Sequence, residues 1–236
     1  MVVKTKMKCV ILCGGKGTRL NELTKELPKP LICIGDKPIL SHIMDRYTQA
    51  GFNEFIICTG YKGSMIEQYF EKNNKNNHQD RDVQVIDTGQ NSTKAERLSK
   101  IEKYLDEDNF FLAYGDDIAN VDIKKLLKFH KAHKGVATIT IIHPENPYGV
   151  LNLRGNQITH FKEKPLMDEW INGGYMVLNK RIFEYINEGD DLEKEVFKKL
   201  VAEGEIYAFK HDGFWKSMNT FKDVQELNEL WKNGKM

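Results

Sequence analysis

KCVILCGGKGTRL, residues 8–20, joins a short apolar run directly to a glycine-rich segment. The apolar run at 8–13 has the length and composition of a strand buried in a sheet. Three glycines in the next four positions let the backbone come close to a ligand and offer N–H groups to phosphate oxygens. Lys16 and Arg19 add cationic donors to the same segment. This stretch therefore predicts a strand that leads into a phosphate-binding loop.

Two common nucleotide-binding motifs do not fit this loop. A Walker A loop would need Ser or Thr where Gly17 stands, and a dinucleotide fingerprint would need glycine at Leu20. A tight strand-to-helix turn with charged residues would also explain the glycines. The phosphate site is the favoured interpretation, because open α/β sheets bind ligands at the carboxyl ends of their strands.

Downstream of this loop, apolar strands alternate with amphipathic helices. The predicted strands lie at 55–59, 83–86, 110–114 and 136–142, and the predicted helices at 38–50, 64–71, 93–105 and 122–133. Further strands at 149–153, 157–162, 174–178 and 205–209 accompany helices near 180–187, 190–202 and 221–231, whereas 73–82 is a polar loop. This order predicts an α/β fold: a Rossmann-like, mostly parallel mixed sheet flanked by helices, with extra strands in the second half.

The composition excludes several classes of protein. The 236 residues carry 35 Lys and Arg against 34 Asp and Glu, a net charge of +1 that does not support a nucleic-acid surface. No apolar stretch approaches the roughly 18 residues of a membrane-spanning helix. Four cysteines without a second Cys/His pair complete neither a zinc site nor a disulfide framework. We therefore expect a cytoplasmic protein without membrane or nucleic-acid partners.

Two short polar segments in the first half carry candidate site residues. Pro28 and Pro30 fix the backbone on both sides of Lys29, so the lysine is presented stiffly. Asp116 and Asp117 end the strand at 110–114, where carboxylates suit a Mg²⁺ ion held against phosphate oxygens. A surface lysine and a helix-capping aspartate are the ordinary alternatives.

The second half contains three similar segments. Glu163-Lys164-Pro165 again places a lysine before a proline, and Asn172-Gly173-Gly174 opens a predicted strand where glycines allow close backbone approach. The segment from Trp215 to Thr220 precedes the last helix and offers Asn219 or Thr220 as its N-cap. Each segment alone is also typical of an ordinary loop.

Together, these segments resemble the sugar-1-phosphate nucleotidyltransferase family, in one order and at plausible spacing from Met7 to about Trp231. The resemblance rests on the loop at 14–20, Lys29, the Gly115-Asp116 pair, Lys164 and the segment 172–174. Within the family, the segments 86–89, 97–98, 172–174 and 213–215 are most similar to the cytidylyltransferases that act on glucose 1-phosphate. The implied fold is of the nucleotide-diphospho-sugar transferase type.

This resemblance implies a reaction. A nucleoside triphosphate, preferably CTP, would condense with a sugar 1-phosphate, glucose 1-phosphate above all, to give CDP-glucose and pyrophosphate. The sugar phosphate oxygen would attack the α-phosphorus in line with assistance from Mg²⁺, so the protein would mainly supply positioning and charge stabilisation. A general base is not required, since a phosphate monoester is an anion near neutral pH. The resemblance places the enzyme in nucleotide-sugar and polysaccharide biosynthesis and leaves a homo-oligomer open.

The resemblance also implies roles for individual residues. The expected catalytic residues are Arg19, Lys29, Asp116 and Lys164. The expected nucleotide-binding residues are Leu12, Cys13, Gly14, Gly15, Lys16, Gly17, Thr18, Thr88, Gly89, Asn91 and Gly115. The expected sugar-phosphate residues are Gly149, Glu163, Lys164, Asn172 and Gly173, and Mg²⁺ would be held by Asp116 and Asn219.

The chain is expected to form one nucleotidyltransferase domain over 7–236, with a nucleotide-binding half at about 7–120 and a sugar-phosphate half at about 121–236. No repeat or low-complexity linker suggests a second domain. Residues 1–6 lack the apolar segment of a secretory signal, and Met7 resembles a second start, so we expect 1–6 to be an extension without a role.

Three features depart from the family pattern. Asn219 stands where the family usually has a second metal-binding aspartate, so it could ligate only through a neutral carbonyl. Ala95 and Glu96 replace a glycine pair, and Glu96 would bring bulk and negative charge near the base. The segment 73–82 is shorter than its counterpart.

These departures keep alternatives open. UTP or dTTP could replace CTP, and a heptose or polyol phosphate could replace the sugar 1-phosphate. A non-catalytic regulatory module is a distant alternative, which only Asn219 favours, because the other charged site residues are retained. A glycosyltransferase would need an Asp-x-Asp motif, which 116–118 does not supply.

Overall fold

A seven-stranded sheet runs through the protein. The computed structural model describes residues 7–20, 22–74 and 81–236. Its strands are, in chain order, β1 (Cys9–Leu12), β2 (Cys33–Ile34), β3 (Lys37–Pro38), β4 (Glu54–Thr59), β5 (Asp82–Asp87), β6 (Asn109–Tyr114), β7 (Asp117–Ala119), β8 (Ala137–Ile142), β9 (Val150–Arg154), β10 (Gln157–Lys162), β11 (Ile171–Asn179), β12 (Ile206–Lys210) and β13 (Trp215–Ser217). The large sheet has the order β12-β8-β11-β6-β1-β4-β5. The expected extension 1–6 and positions 75–80 of the expected polar loop lie outside the described residues.

Most neighbouring strands in this sheet are parallel. β1 pairs in parallel with β4 and β6, β4 with β5, and β8 with β12. β11 runs antiparallel to both of its neighbours, β6 and β8. The prediction of a mostly parallel mixed sheet is therefore confirmed, and β8, β11 and β12 from the second half extend this sheet.

Helices cover both faces of the sheet. They are α1 (Glu22–Glu26), α2 (Ile39–Gln49), α3 (Gly63–Asn74), α4 (Lys94–Ile101), α5 (Ile123–His133), α6 (Phe197–Ala202) and α7 (Phe221–Lys232), with 3₁₀ turns at Thr18–Leu20, Lys29–Leu31, Glu102–Tyr104 and Lys180–Tyr185 and a π-helical turn at Leu192–Val196. The expected helix near 180–187 is one of these 3₁₀ turns, since the backbone is extended at both Asn179 and Ile186. Among the helices of the described ranges, none has both the length and the apolar character needed to cross a bilayer.

Side chains alternate along the central strands and build two apolar cores. Cys9 and Ile11 of β1 belong to the core that α2, α3, α5 and α7 cover. Val10, between them, belongs to the core that α4 and α6 cover. Burial on both faces explains why these strands are continuous apolar runs in the sequence. The cysteines are free, and Cys9, Cys13 and Cys58 are buried as small apolar side chains.

Outside the large sheet lie three antiparallel pairs: β2 with β3, β7 with β13, and the hairpin of β9 and β10. β7 pairs antiparallel with β13, which sets Asp117 opposite Ser217. The sequence predicts no strand at either place, because three residues are too few to show a period. The hairpin of β9 and β10 is a separate pair whose side chains are exposed throughout.

A buried histidine joins α5 to the sheet. His130 Nδ1 lies 2.9 Å from Thr138 Oγ1, and His130 Nε2 lies 3.1 Å from Asn109 Oδ1. His133 Nε2 lies 2.7 Å from the same Thr138 hydroxyl. Burial lowers the pKa of His130 to about 4, and the nearby charges of His133, Lys131 and Arg181 act in the same direction.

This histidine makes stability depend on pH. The unfolded chain protonates His130 near pH 6.5, whereas the folded protein keeps it neutral down to about pH 4. Protons therefore favour the unfolded state in that window, and stability is lost as the pH falls through it.

We expect His130→Asn to reduce the slope of the unfolding free energy against pH between about 6.5 and 4, by up to about one proton. Denaturant unfolding at several pH values measures this slope. His160→Asn, at an exposed site, is the control, and a wild-type slope in His130→Asn would contradict the assignment.

Candidate functional site at the carboxyl edge of the sheet

Four parallel strands end at one edge of the sheet. β1, β4, β5 and β6 run in the same direction, so the segments after Leu12, Thr59, Asp87 and Tyr114 meet there. A cavity of about 550 Å³ opens beside them, within the usual size range of small-molecule sites. Its walls come from the loop after β1, the start of α4, the loop after β6 and the segment around β13.

A buried arginine, Arg97 of α4, forms part of the cavity lining. Its guanidinium donates to the Thr59 carbonyl at 2.8 Å, to Thr88 Oγ1 at 2.7 Å and to the Gly14 carbonyl at 3.2 Å. Thr88 Oγ1 in turn donates to the Thr59 carbonyl at 2.7 Å. All these acceptors are neutral oxygens, and burial lowers the Arg97 pKa, although an arginine stays charged in proteins. One cation therefore joins the segments that follow β1, β4 and β5.

The glycine-rich loop packs directly on this arginine. A Cβ at Gly14 would overlap the Arg97 guanidinium, and a Cβ at Gly60 would lie 2.9 Å from Arg97 Nη1. Gly15, in contrast, is exposed and has open space where a Cβ would point. Gly17 has a φ of +62°, which glycine adopts without strain. Close packing on Arg97 therefore requires glycine at position 14, and the positive φ of the turn favours glycine at position 17.

Lys29 bridges the two predicted metal ligands. Its Nζ lies 2.5 Å from Asp116 Oδ2 and 3.1 Å from Asn219 Oδ1. Asn219 Nδ2 donates to Ser217 Oγ at 2.8 Å, so the amide presents its oxygen toward the lysine. Asp116 and Asn219 therefore converge on one cationic centre. Within the described ranges, no group of three or more His, Cys, Asp or Glu side chains is arranged for a metal ion.

A second carboxylate, Asp117, also lines the cavity and is only 5% exposed. The Ser217 side chain hydrogen-bonds this carboxylate, and Gly174 packs so closely on it that a Cβ there would overlap Asp117 Oδ2. Burial, and then the Asp116 carboxylate, raise the pKa of Asp117. The cavity therefore contains two adjacent acids, of which one is ion-paired with Lys29.

Tyr114 links the cavity to the predicted sugar segment. Its hydroxyl donates to Glu193 Oε1 at 2.5 Å and accepts from Asn172 Nδ2 at 3.2 Å. Lys94 lies over the ring, 4.5 Å from the centroid, and forms an ion pair with Glu193. Burial, and then Glu193, raise the pKa of Tyr114, so the phenol keeps its proton.

The structure brings many predicted site residues to this cavity. Those that line it are Leu12, Cys13, Gly14, Gly15, Gly17, Thr18, Arg19, Lys29, Gly115, Asp116 and Asn219. Thr88 lies behind the lining, on Arg97. Asn172 and Gly173 connect to it through hydrogen bonds to Tyr114 and Trp215, the second from Trp215 Nε1 at 2.9 Å. Of the predicted residues, all of which are described, Lys16, Gly89, Asn91, Gly149, Glu163 and Lys164 do not line the cavity.

Three predicted sugar-phosphate residues gather at the hairpin instead. Gly149 directly precedes β9, and Glu163 and Lys164 directly follow β10. A Cβ at Gly149 would lie 3.0 Å from Glu163 Oε2, so the two ends of the hairpin are close. Lys164 is exposed and has a φ of +42°, an uncommon conformation for a side-chain-bearing residue.

The start of α4 explains one departure from the family pattern. Thr93 is its N-cap: Thr93 Oγ1 accepts from Glu96 N at 3.1 Å, and Glu96 Oε2 accepts from Thr93 N at 2.8 Å. Glu96 therefore completes a capping box. Its carboxylate is held at the helix end by Thr93 N and does not line the cavity.

Several polar lining residues carried no predicted role, among them Lys94, Arg97 and Tyr114, and the expected metal ligands included Asp116 but not Asp117. Arg97 precedes Leu98 on the buried part of α4, and a charged residue at a buried helix position was the available signal. Asp117 was noticed beside Asp116, but its burial depends on the distant strand β13. Lys94 and Tyr114 reach the cavity through tertiary packing, for which the sequence contains no local signal.

Known proteins are similar to this chain in sequence and in fold. The model of the nucleotidyl transferase family matches residues 8–233. The glucose-1-phosphate cytidylyltransferases of Salmonella typhimurium and Salmonella typhi are each 42% identical over 250 residues, covering 97% of this chain and 97% of each relative. A UDP-glucose pyrophosphorylase solved with UDP-glucose has a TM-score of 0.75 over 97% of this chain and 99% of that chain. At 19% identity, this structure supports the fold alone.

The packing of the loop on Arg97 predicts different effects for two neighbouring glycines. Gly14→Ala should lower the unfolding free energy by about 1–3 kcal/mol, because its methyl group would displace the guanidinium. Gly15→Ala, the matched control, should lower it much less, because its methyl group would enter open space. Denaturant unfolding without nucleotide measures both. Equal stability of the two variants would show that Arg97 does not support the loop in this way.

Proposed function

The chain belongs to the nucleotidyl transferase family, and on that premise we propose that it condenses CTP with glucose 1-phosphate to form CDP-glucose and pyrophosphate. The choice of these substrates is supported by the full-length similarity to the two Salmonella enzymes. The cavity supports the chemistry, since it combines a glycine-rich loop, Arg19, Lys29 and Asp116 at one edge of the sheet.

The reaction exchanges one phosphorus–oxygen bond for another. A phosphate oxygen of glucose 1-phosphate attacks the α-phosphorus of CTP, and the bond from that phosphorus to the bridging oxygen of the β-phosphate breaks. The electron pair leaves with pyrophosphate, opposite the attacking oxygen. The nucleophile is already an anion, so no side chain has to remove a proton. The protein therefore contributes mainly by holding both phosphates in line and by stabilising negative charge.

Two cationic side chains at the cavity can stabilise this negative charge. Lys29 is held by the 3₁₀ turn Lys29–Leu31, and its position beside Asp116 sets it at the centre of the proposed phosphate site. Arg19 is exposed on the 3₁₀ turn Thr18–Leu20, at the open side of the same loop. We assign both to the α-phosphate and the leaving pyrophosphate, where an ammonium and a guanidinium stabilise developing charge.

The nucleotide is assigned to the loop after β1 and the loop after β5. Backbone N–H groups between Leu12 and Thr18 face the triphosphate in this proposal, as in other glycine-rich phosphate sites. Thr88, Gly89 and Asn91 lie beside the base and ribose. Ser92 Oγ and Lys100 Nζ both donate to the Thr88 carbonyl, at 2.6 and 2.8 Å, and so hold this loop in place.

The sugar phosphate is assigned to the opposite side of the cavity. Asn172 and Gly173 are fixed there by Tyr114 and Trp215, as described above. Gly149, Glu163 and Lys164 at the ends of the hairpin complete the proposed sugar-phosphate site, with Lys164 gripping the phosphate. The proposed halves are the nucleotide half, about 7–120, and the sugar-phosphate half, about 121–236; in the large sheet, β6 of the first pairs with Tyr175–Asn179 of β11 in the second.

The residues present fit a divalent cation. Asp116 and Asn219 direct oxygens at one cationic centre, and oxygen ligands suit Mg²⁺. When bound, Mg²⁺ would neutralise phosphate charge and polarise the phosphoryl oxygens. Asp116 would hold it through a carboxylate and Asn219 through a neutral carbonyl.

The cellular setting is part of the proposal. Unpaired, buried thiols at Cys9, Cys13 and Cys58 are consistent with a reducing compartment such as the cytoplasm. The product would supply nucleotide-sugar and polysaccharide biosynthesis. We also retain a homo-oligomer as a prediction, which a sedimentation or light-scattering measurement would test.

An assay of pyrophosphate release tests both the proposed reaction and the proposed preference for CTP. With Mg²⁺ and glucose 1-phosphate, we expect kcat/KM for CTP to exceed that for UTP, dTTP, ATP and GTP by about 100-fold, because a site built to hydrogen-bond one base rejects others. Product identification as CDP-glucose completes the assay. Preference for UTP or dTTP would overturn the base, and turnover only with a heptose or polyol phosphate would overturn the acceptor. Nucleotide binding without any turnover would favour the regulatory module.

Two lysine variants test the assigned roles. Lys29→Ala should lower kcat roughly 100-fold or more, because it removes charge stabilisation at the α-phosphate. Lys164→Ala should raise KM for glucose 1-phosphate about tenfold or more, because it removes a charged hydrogen bond to the phosphate. Lys128→Ala, on the exposed face of α5, is the control and should match the wild type. Near-normal kinetics in either test variant, with an unchanged melting temperature, would remove that lysine from the site.

A further inference from the structure

Asp117 is an acidic side chain that the proposed reaction does not yet use. It opens β7, lines the cavity and is nine-tenths buried or more, and its own carbonyl accepts a hydrogen bond from the Tyr175 hydroxyl at 3.1 Å. Its carboxylate packs against Gly174, where φ is +80° and no side chain intervenes. Among the described residues, no lysine or arginine forms an ion pair with it. Burying such a group without a cation is costly.

A short chain of hydrogen bonds connects Asp117 to Asn219. Ser217 lies opposite Asp117 in the β7–β13 pair and hydrogen-bonds its carboxylate. Ser217 Oγ also accepts from Asn219 Nδ2 at 2.8 Å, so its hydroxyl hydrogen is available to Asp117. Asn219 Oδ1 faces the opposite way, toward Lys29 at 3.1 Å. Asp117, Ser217 and Asn219 therefore form one wall of the cation site.

Without Asp117, the negative charge at this wall is too small to balance the divalent cation that the proposed function requires. A divalent cation carries two positive charges, whereas Asn219 is neutral and Asp116 is shared with Lys29. The next carboxylate in the lining is Asp117, adjacent in sequence to Asp116 and joined to Asn219 through Ser217. Carboxylates in and behind the ligand shell largely determine how tightly a site holds such an ion.

We propose that Asp117 supplies the second negative charge of the divalent-cation site, while Asn219 supplies only a neutral oxygen. The inference rests on the proposed function for the presence of the cation, and on the structure for the assignment of its charge. A carboxylate at position 117 or at position 219, on either side of Ser217, would then supply the second negative charge to the same ion.

Manganese binding tests this exchange without relying on turnover. Mn²⁺ is titrated into the full-length protein, alone and with α,β-methylene-CTP, and free Mn²⁺ is followed by electron paramagnetic resonance. Asp117→Asn should weaken Mn²⁺ binding roughly tenfold or more. The double variant Asp117→Asn/Asn219→Asp should recover affinity to within about threefold of the wild type, because it restores one carboxylate to the wall. Asp212→Asn, at an exposed position outside the cavity, is the control for loss of any carboxylate.

Three outcomes would overturn the inference. The first is wild-type Mn²⁺ affinity in Asp117→Asn. The second is a loss that Asn219→Asp does not restore, since a distorted wall rather than a missing charge would then explain it. The third is a wild type that binds Mn²⁺ in neither condition. If that wild type still releases pyrophosphate from CTP in Mg²⁺, the proposed function stands and only the assignment of Asp117 fails.

Discussion

The hydrogen bonds of Arg97 are the constraint on which the site depends. One buried guanidinium binds the Gly14 carbonyl, the Thr59 carbonyl and the Thr88 hydroxyl, which lie at or just after the ends of three adjacent parallel strands. Strand pairing brings these segments to one edge, but it does not fix their backbones there. A cation with several donors in a rigid plane does so, because each segment offers it a neutral oxygen. Since none of these partners is charged, Arg97 also leaves positive potential beneath the loop that is proposed to hold phosphates.

A second set of charges lies above this arginine. Lys29 contacts Asp116 and Asn219, so the cation of the lysine occupies the centre on which these oxygens converge. Binding of a nucleotide with its metal would have to rearrange this ion pair, because Lys29 and Mg²⁺ would compete for the same oxygens. The proposed reaction uses both, with the lysine turned to the phosphates and the carboxylate to the metal. In the free protein, the proposed catalytic lysine is therefore ion-paired with the proposed metal ligand.

The sequence sufficed for the architecture and for part of the site. Strand and helix periods predicted the mixed sheet, and the loop 14–19, apart from Lys16, does line the cavity together with Lys29 and Asp116. These residues follow strands or prolines directly, so local sequence indicates their position. Lys94 and Arg97 carried no predicted role, and Asp117 was left out of the expected metal ligands, because their positions depend on contacts between distant segments. Asp117 requires β13, about a hundred residues away along the chain, to bury it. For Glu96, the structure adds a local role, since its carboxylate completes the capping box with Thr93.

The proposed function requires that a nucleotide bind in the cavity on Arg97. Amide hydrogen exchange with and without CTP and Mg²⁺ tests it most directly, because the proposed contacts involve backbone N–H groups. The account predicts slower exchange in the segments 12–20 and 88–97 when CTP is present, with little change in the exposed hairpin of β9 and β10. Unchanged exchange in both segments under saturating CTP, or protection confined to another surface, would contradict it.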